Sequence, residues 1–173
     1  MIVVRHRVGQ FFLYWRARLT RADVAFIEAT LPPALAALFC RMTPGEQIHS
    51  LKVMRWLADH GHTRPELLQA ALLHDVGKSV APISLWERVE AVLVRWLLPG
   101  PYARWGQAEP RGWRKPFVTA TQHPEWGADL AAQAGAAPLV VNLIRRHQSD
   151  KGKKPVTDED QLLRLLSQAE MHT

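Results

Sequence analysis

At 173 residues the chain is long enough for one domain that buries its own core without disulfides or other staples. Hydrophobic residues at 47% and charged residues at 22% exclude a disordered tract, and there is no uncharged apolar run of about 18 residues to span a bilayer. The single cysteine, Cys40, excludes a disulfide framework and reads as a core residue in a reducing, cytoplasmic setting, while the net charge of +6 suits anionic partners.

The first 22 residues carry Arg5, Arg7, Arg16, Arg18 and Arg21 and no acid, interleaved with Phe11, Phe12, Tyr14 and Trp15. The arginines break every candidate signal-peptide core. The segment has the chemistry to touch nucleic acid, anionic lipid or a partner subunit, but the plainer reading, which we prefer, is an arginine-faced helix with its aromatics packed inward. We therefore take residues 1–42 as a helical arm packed on a domain spanning 43–173. Assembly into a homo-oligomer is left open.

From there nearly every segment has helical periodicity and none alternates like a strand, so the predicted fold class is all-α. Thr43-Pro44-Gly45-Glu46 forms a capping box with Pro at the first helical position, starting a helix to about Asp59 with Gly61 beyond. Thr63 and Glu66 repeat that spacing, and Gly77 is expected to close the helix they start. From about Ile83 to Leu97 a run with Leu85, Trp86, Val89, Val92, Leu93 and Trp96 on one side reads as a cover helix, stopped by Pro99-Gly100-Pro101. The following stretch to Pro116, rich in Pro, Gly, Trp and Arg, is read as a candidate lid. Pro124 is expected to open a helix closed by Gly135, and Pro138 another that reaches His147. Lys151 to Pro155 makes a basic loop, and Thr157 with Asp160 starts the last helix.

Three of the eight histidines stand out by where the helical period puts them. His49 shares a face with Val53, Trp56 and Leu57; His74 with Leu67, Ala71 and Lys78; His147 with Val140, Leu143 and Ile144. One such histidine is more often a hydrogen-bonded core residue than a ligand. Three on separate helices, buried with the Asp75 carboxylate, are costly unless a divalent metal satisfies their lone pairs and balances the charge. Asp75 follows His74 near a helix end, where the chain is free to leave the helical path and a carboxylate can bridge two ions. Lys78, one turn after His74, would direct an ammonium to an anionic substrate held there.

Leu72-Leu73-His74-Asp75-Val76-Gly77-Lys78 resembles the core motif of HD-domain phosphohydrolases. Ile48-His49-Ser50 upstream, His123-Pro124-Glu125-Trp126-Gly127-Ala128 and Arg145-Arg146-His147-Gln148 downstream, and a terminal Leu-rich helix follow the same order, over roughly residues 43 to 171. The resemblance implies an HD-domain helical bundle with a metal site between its central helices. It also implies that His49, His74 and Asp75 bind a first metal, that Asp75 bridges, and that His123 and His147 serve a second. The family's last ligand is usually an aspartate in an Ala-Asp pair, and the matching pair here is Ala169-Glu170. Asp158 and Asp160 are alternatives in a first helical turn, where acids are expected anyway; Glu170, on the apolar face with Leu162, Leu163, Leu166 and Ala169, is preferred.

The function so implied is hydrolysis of a nucleotide or other phosphate mono- or diester through a metal-bound hydroxide, with divalent metal expected as two ions (Fe, Mn, Mg, Co or Ni). Asp75 and Lys78 are the candidate catalytic residues; Lys78, Arg145 and Arg146 are the candidate contacts to a small phosphorylated substrate. Trp105, Trp113 and Trp126 are candidates to stack on a base. The acidic residues that follow the motif in alarmone hydrolases, and the Gly-Tyr-Pro triplet of the cyclic-dinucleotide branch, are missing. Two further readings stay open: a di-iron HD-type oxygenase, and a non-catalytic ligand-sensing HD domain.

Overall fold

The computed structural model describes residues 19–149 and 155–173. The basic stretch 1–18 and the loop residues Lys151 to Lys154 lie outside the described residues. The described ones form nine α-helices and no strand: α1 (Arg21–Thr30), α2 (Pro33–Phe39), α3 (Pro44–Asp59), α4 (Pro65–Leu73), α5 (Leu85–Leu97), α6 (Pro99–Trp105), α7 (Lys115–Gln133), α8 (Pro138–Arg146) and α9 (Asp158–His172). Short 3-10 helices follow α4 (Val76–Ser79) and precede α7 (Gly112–Arg114). None is long and apolar enough to cross a membrane.

The bundle centre is α4, whose Leu67, Ala70, Ala71, Leu72 and Leu73 are wholly enclosed. A helix apolar all round needs neighbours on every side, and α4 has them: α3 and α8 flank it, and α1, α2 and α9 also touch it. Ile27, Leu31, Leu35 and Phe39 of the first two helices join the same core. Cys40, by contrast, is exposed at the C-cap of α2 rather than buried.

The start signals at α3 and α9 act as expected. Glu46 accepts from the Thr43 backbone N–H at 2.9 Å, Asp160 accepts from the Thr157 N–H at 3.0 Å, and both reciprocal bonds are present. Gly61 and Gly135, at φ 81 and 82, take the left-handed conformation that ends α3 and α7.

Five expectations need correction. The N-cap of α4 is Arg64, not Thr63, because Pro65 occupies the first helical position. Gly77 does not close α4, which ends at Leu73; it lies in the 3-10 turn, backbone to backbone against α7. Pro124 does not open a helix: α7 starts at Lys115, with Pro116 in its first turn, and runs through Pro124, forgoing one internal hydrogen bond. The stretch after Pro99 is no structureless lid, since Pro99 opens α6 and Trp105, Trp113 and Phe117 pack together with ring centroids 4.9 to 6.1 Å apart. Finally, α5 covers little with its apolar face, of which only Leu85 turns toward a cavity. That face looks outward, and the helix meets the domain through buried Ala91 and the ion pairs Arg88–Glu46 and Lys115–Glu87.

Candidate metal centre

Two of the site's histidines sit where a helix has just ended. His74 is the C-cap of α4 and His147 the C-cap of α8, and the last carbonyls of a helix lack backbone partners. Each imidazole meets one of them: His74 Nδ1 donates to Ala71 O at 2.9 Å, His147 Nδ1 to Ile144 O at 2.7 Å. His123, in mid-α7, does the same to Thr119 O at 2.9 Å. A carbonyl only accepts, so Nδ1 is the donor in each ring, and a ring carrying that one proton alone turns the lone pair of Nε2 inward.

Asp75 leaves the helical path at φ −97, ψ 0, the bridge region of backbone space, before the 3-10 turn starts. Its carboxylate lies at the middle of the cluster. His123 Nε2 is 3.4 Å from Oδ1 and His74 Nε2 is 3.7 Å from Oδ2, and Lys78 Nζ donates to Oδ2 at 2.6 Å. The His49 and His147 rings stand edge-on to His74, with centroids 5.4 and 5.3 Å away. Two sets of ligand atoms, each within 4.8 Å of one another, share Asp75: His49 with His74, and His123 with His147. Glu170 stands outside both sets, its Oε1 3.9 Å from His74 Nε2.

The electrostatics match this geometry. Burial is the largest influence on Asp75 and pushes its carboxyl up, but Lys78, His74 and His123 together outweigh it and hold the group well below the usual carboxylate range. Burial pulls the histidines the other way: His49 falls to about 4, and His123 and His147 are lowered as well. At neutral pH these three imidazoles are uncharged. Lone pairs on nitrogen therefore face lone pairs on a carboxylate, an arrangement that repels unless a cation lies between them. Gln148 Nε2, 3.3 Å from His123 Nε2, eases it at one atom. Imidazole nitrogens and carboxylate oxygens at this spacing suit a divalent transition metal.

These shifts predict a pH effect on the metal-stripped protein. Unfolded histidines titrate near about 6.5 and the folded ones lower, so below that pH the unfolded state takes up protons that the folded state does not. Stability is fully present above about pH 6.5 and is lost as pH falls toward the folded values, by about 1.4 kcal/mol per pH unit for each such group. The thermal midpoint of chelator-treated protein should drop by several degrees between about pH 7 and about pH 5. A flat midpoint would mean that these rings are not buried neutral.

Beside the cluster opens a cavity of about 710 Å³ lined by Thr43, Pro44, Gly45, Glu46, His49, Asp75, Lys78, Ile83, Leu85 and Arg88. Lys78 is part of this lining. Arg145 and Arg146 are not: they lie elsewhere, Arg145 between Glu125 and Asp129 and Arg146 between Glu159 and Asp160. On α8, Arg145 stands nearly opposite the face that delivers His147 and Arg146 about a quarter-turn from it. Trp105, Trp113 and Trp126 are also absent from the lining. Arg88 and Glu46 are the charged lining residues that the sequence reading missed. Glu46 was read only as a cap, and nothing in the period of α5 marks Arg88 as facing a cavity.

The chain belongs to the HD domain family, which matches residues 47–170. That family, together with the His/Asp clusters, points to metal-dependent hydrolase-type chemistry. No curated protein and no solved structure matches the chain.

Proposed function

We propose that the protein is a metal-dependent phosphohydrolase acting on a small phosphate mono- or diester, with a nucleotide as the favoured substrate class. The observation that carries this reading is the convergence of His49, His74, His123 and His147 on the Asp75 carboxylate, three of those rings with their protons committed to backbone carbonyls. Those five residues would hold the metal, with Asp75 common to both sets and Glu170 the nearest further carboxylate. The imidazole-rich donor set favours iron or nickel over magnesium.

Bound there, a divalent metal supplies Lewis acidity and a readily ionised water at neutral pH. The chain's own groups do the rest. Lys78 pairs with Asp75 and faces the cavity, so its ammonium can shift toward a phosphoryl oxygen without losing a partner for its charge. Arg88, ion-paired with Glu46 on the opposite wall, offers a second cation to an anionic substrate. Pro44, Ile83 and Leu85 give the cavity an apolar side on which a base or other ring can lie. The unpaired Cys40 accords with a cytoplasmic setting.

The test is a panel of nucleotides and phosphodiesters assayed with purified protein, before and after metal stripping, in air and anaerobically. Hydrolysis that needs added metal and runs equally well without oxygen is expected. Turnover only in air would replace this reading with oxygen-dependent chemistry, and metal-free protein that neither hydrolyses nor gains stability from added iron or manganese would make the domain a sensor.

A further inference from the structure

The two ligand sets that share Asp75 differ at one atom. His123 Nδ1 donates to Thr119 O at 2.9 Å, so Nε2 is the nitrogen this ring has left for a metal. In the neutral ring that nitrogen carries one lone pair, and Gln148 Nε2 stands 3.3 Å from it. The amide has to face this way, since turning it over would set its oxygen against the same lone pair, acceptor to acceptor. Among the described residues no amide or hydroxyl meets Nε2 of His74 or His147, nor either ring nitrogen of His49.

Gln148 is placed by the turn that leaves α8. It follows His147, and Ser149 closes the turn with its backbone N–H and its hydroxyl both donated to Arg146 O at 2.9 Å. Arg146 is itself held by Glu159 and Asp160 of α9. Gln148 is half-buried beside a fully buried ring, so its amide reaches His123 from the rim of the cluster and has room to swing off it.

An imidazole nitrogen that accepts a hydrogen bond has no second lone pair for a cation. A carboxylate oxygen does, so the Lys78 bond to Asp75 Oδ2 leaves that oxygen able to bind an ion as well. An ion held by His49, His74 and Asp75 therefore breaks no hydrogen bond to a ring, whereas an ion held by Asp75, His123 and His147 first has to detach the amide.

We propose that Gln148 is a positioning residue that makes the two sites unequal. Its amide occupies His123 Nε2, so the first ion goes to His49, His74 and Asp75, and the second enters beside His123 only at higher metal concentration. Gln148 has this role only if the cluster is a metal centre, as proposed above, whatever reaction it catalyses. The protein then has two loaded states, with one ion and with two, separated by the metal supply rather than by a change of fold.

Metal-stripped wild type, Q148L, Q148A and H123A would be titrated with nickel, which imidazole-rich sites bind well, and bound ions counted by equilibrium dialysis and elemental analysis. Wild type should fill in two steps, the first tighter, and H123A should lose the second step alone. Both Gln148 variants lack the donor, so they should keep the first step and tighten the second by about fivefold, the worth of one neutral hydrogen bond. Wild type stopping at one ion while these two variants take two would support the proposal equally. A second step weakened in Q148L and Q148A overturns it and makes Gln148 a ligand. Unchanged steps overturn it as well, as do both steps weakened together by a loosened fold, a single ion in wild type and both Gln148 variants, or loss of the first step in H123A. No nickel bound to any of the four proteins would remove the metal centre itself, and the role of Gln148 with it.

Discussion

Replacing Asp75 with alanine is expected to lower the proposed phosphohydrolase activity by about 10³-fold or more and to abolish the stabilisation that added metal gives the wild-type protein. The reason is topological: Asp75 is common to the two ligand sets, so its loss removes a ligand from each, whereas loss of His49 or His147 touches one. A ligand that saturates its site a hundredfold above Kd stabilises by about 2.7 kcal/mol, which gives the thermal shift to look for. Asp75→Asn keeps the volume and removes the charge. It should behave like alanine in the metal titration, because the carboxylate's charge balances the ions and an amide's does not. Because Lys78 and His123 lose their partner as well, the apo variant needs its own midpoint measured. If Asp75→Ala retained metal-dependent turnover within about tenfold of wild type, the dinuclear reading of the cluster would be wrong.

Gly77→Ala should be the most destabilising single methyl group that can be added to this fold. A Cβ there would lie 1.9 Å from His123 O and 2.6 Å from Gly127 N, and both are backbone atoms of α7 that cannot rotate aside. The 3-10 turn and α7 have to separate, and overpacking of this kind costs about 3 kcal/mol or more. The same separation draws His123 away from Asp75. Gly100→Ala, where nothing lies within 4 Å, is the matched control and should leave the midpoint unchanged. Equal midpoints for the two variants would show that the turn and α7 are not in contact as described.

Much of the site was readable from periodicity. His49, His74 and His147 each share a face with core residues, and the structure puts all three rings around Asp75. His123 needed the family resemblance, because reading Pro124 as a helix start placed it before the helix that carries it. Proline is favoured in a first turn, yet buried Pro124 is tolerated in mid-helix at the loss of one bond, and Pro116 is the residue in the first turn. For α5 the period was right and the direction wrong. Amphipathicity says which residues share a face, not which side faces the domain, and that choice here depends on two ion pairs to residues distant in sequence, Glu46, 42 positions before its partner Arg88, and Lys115, 28 positions after its partner Glu87. Arg88 was overlooked for the same reason: its partner is distant in sequence. Nothing short of the assembled bundle relates Gly77 to His123.

Glu46 does two jobs with one buried carboxylate. Oε2 accepts from the Thr43 N–H and hydroxyl at 2.9 and 2.8 Å, tying down the first turn of α3, while Oε1 takes the Arg88 guanidinium and so fixes α5. The width of the opening to the metal centre is thus set from a single side chain, several residues away from any candidate ligand. Shortening it by one methylene would loosen the hold of α5 on this wall of the cavity and leave the candidate ligands around Asp75 in place, so the size of what enters could change without a change in the metal centre proposed there.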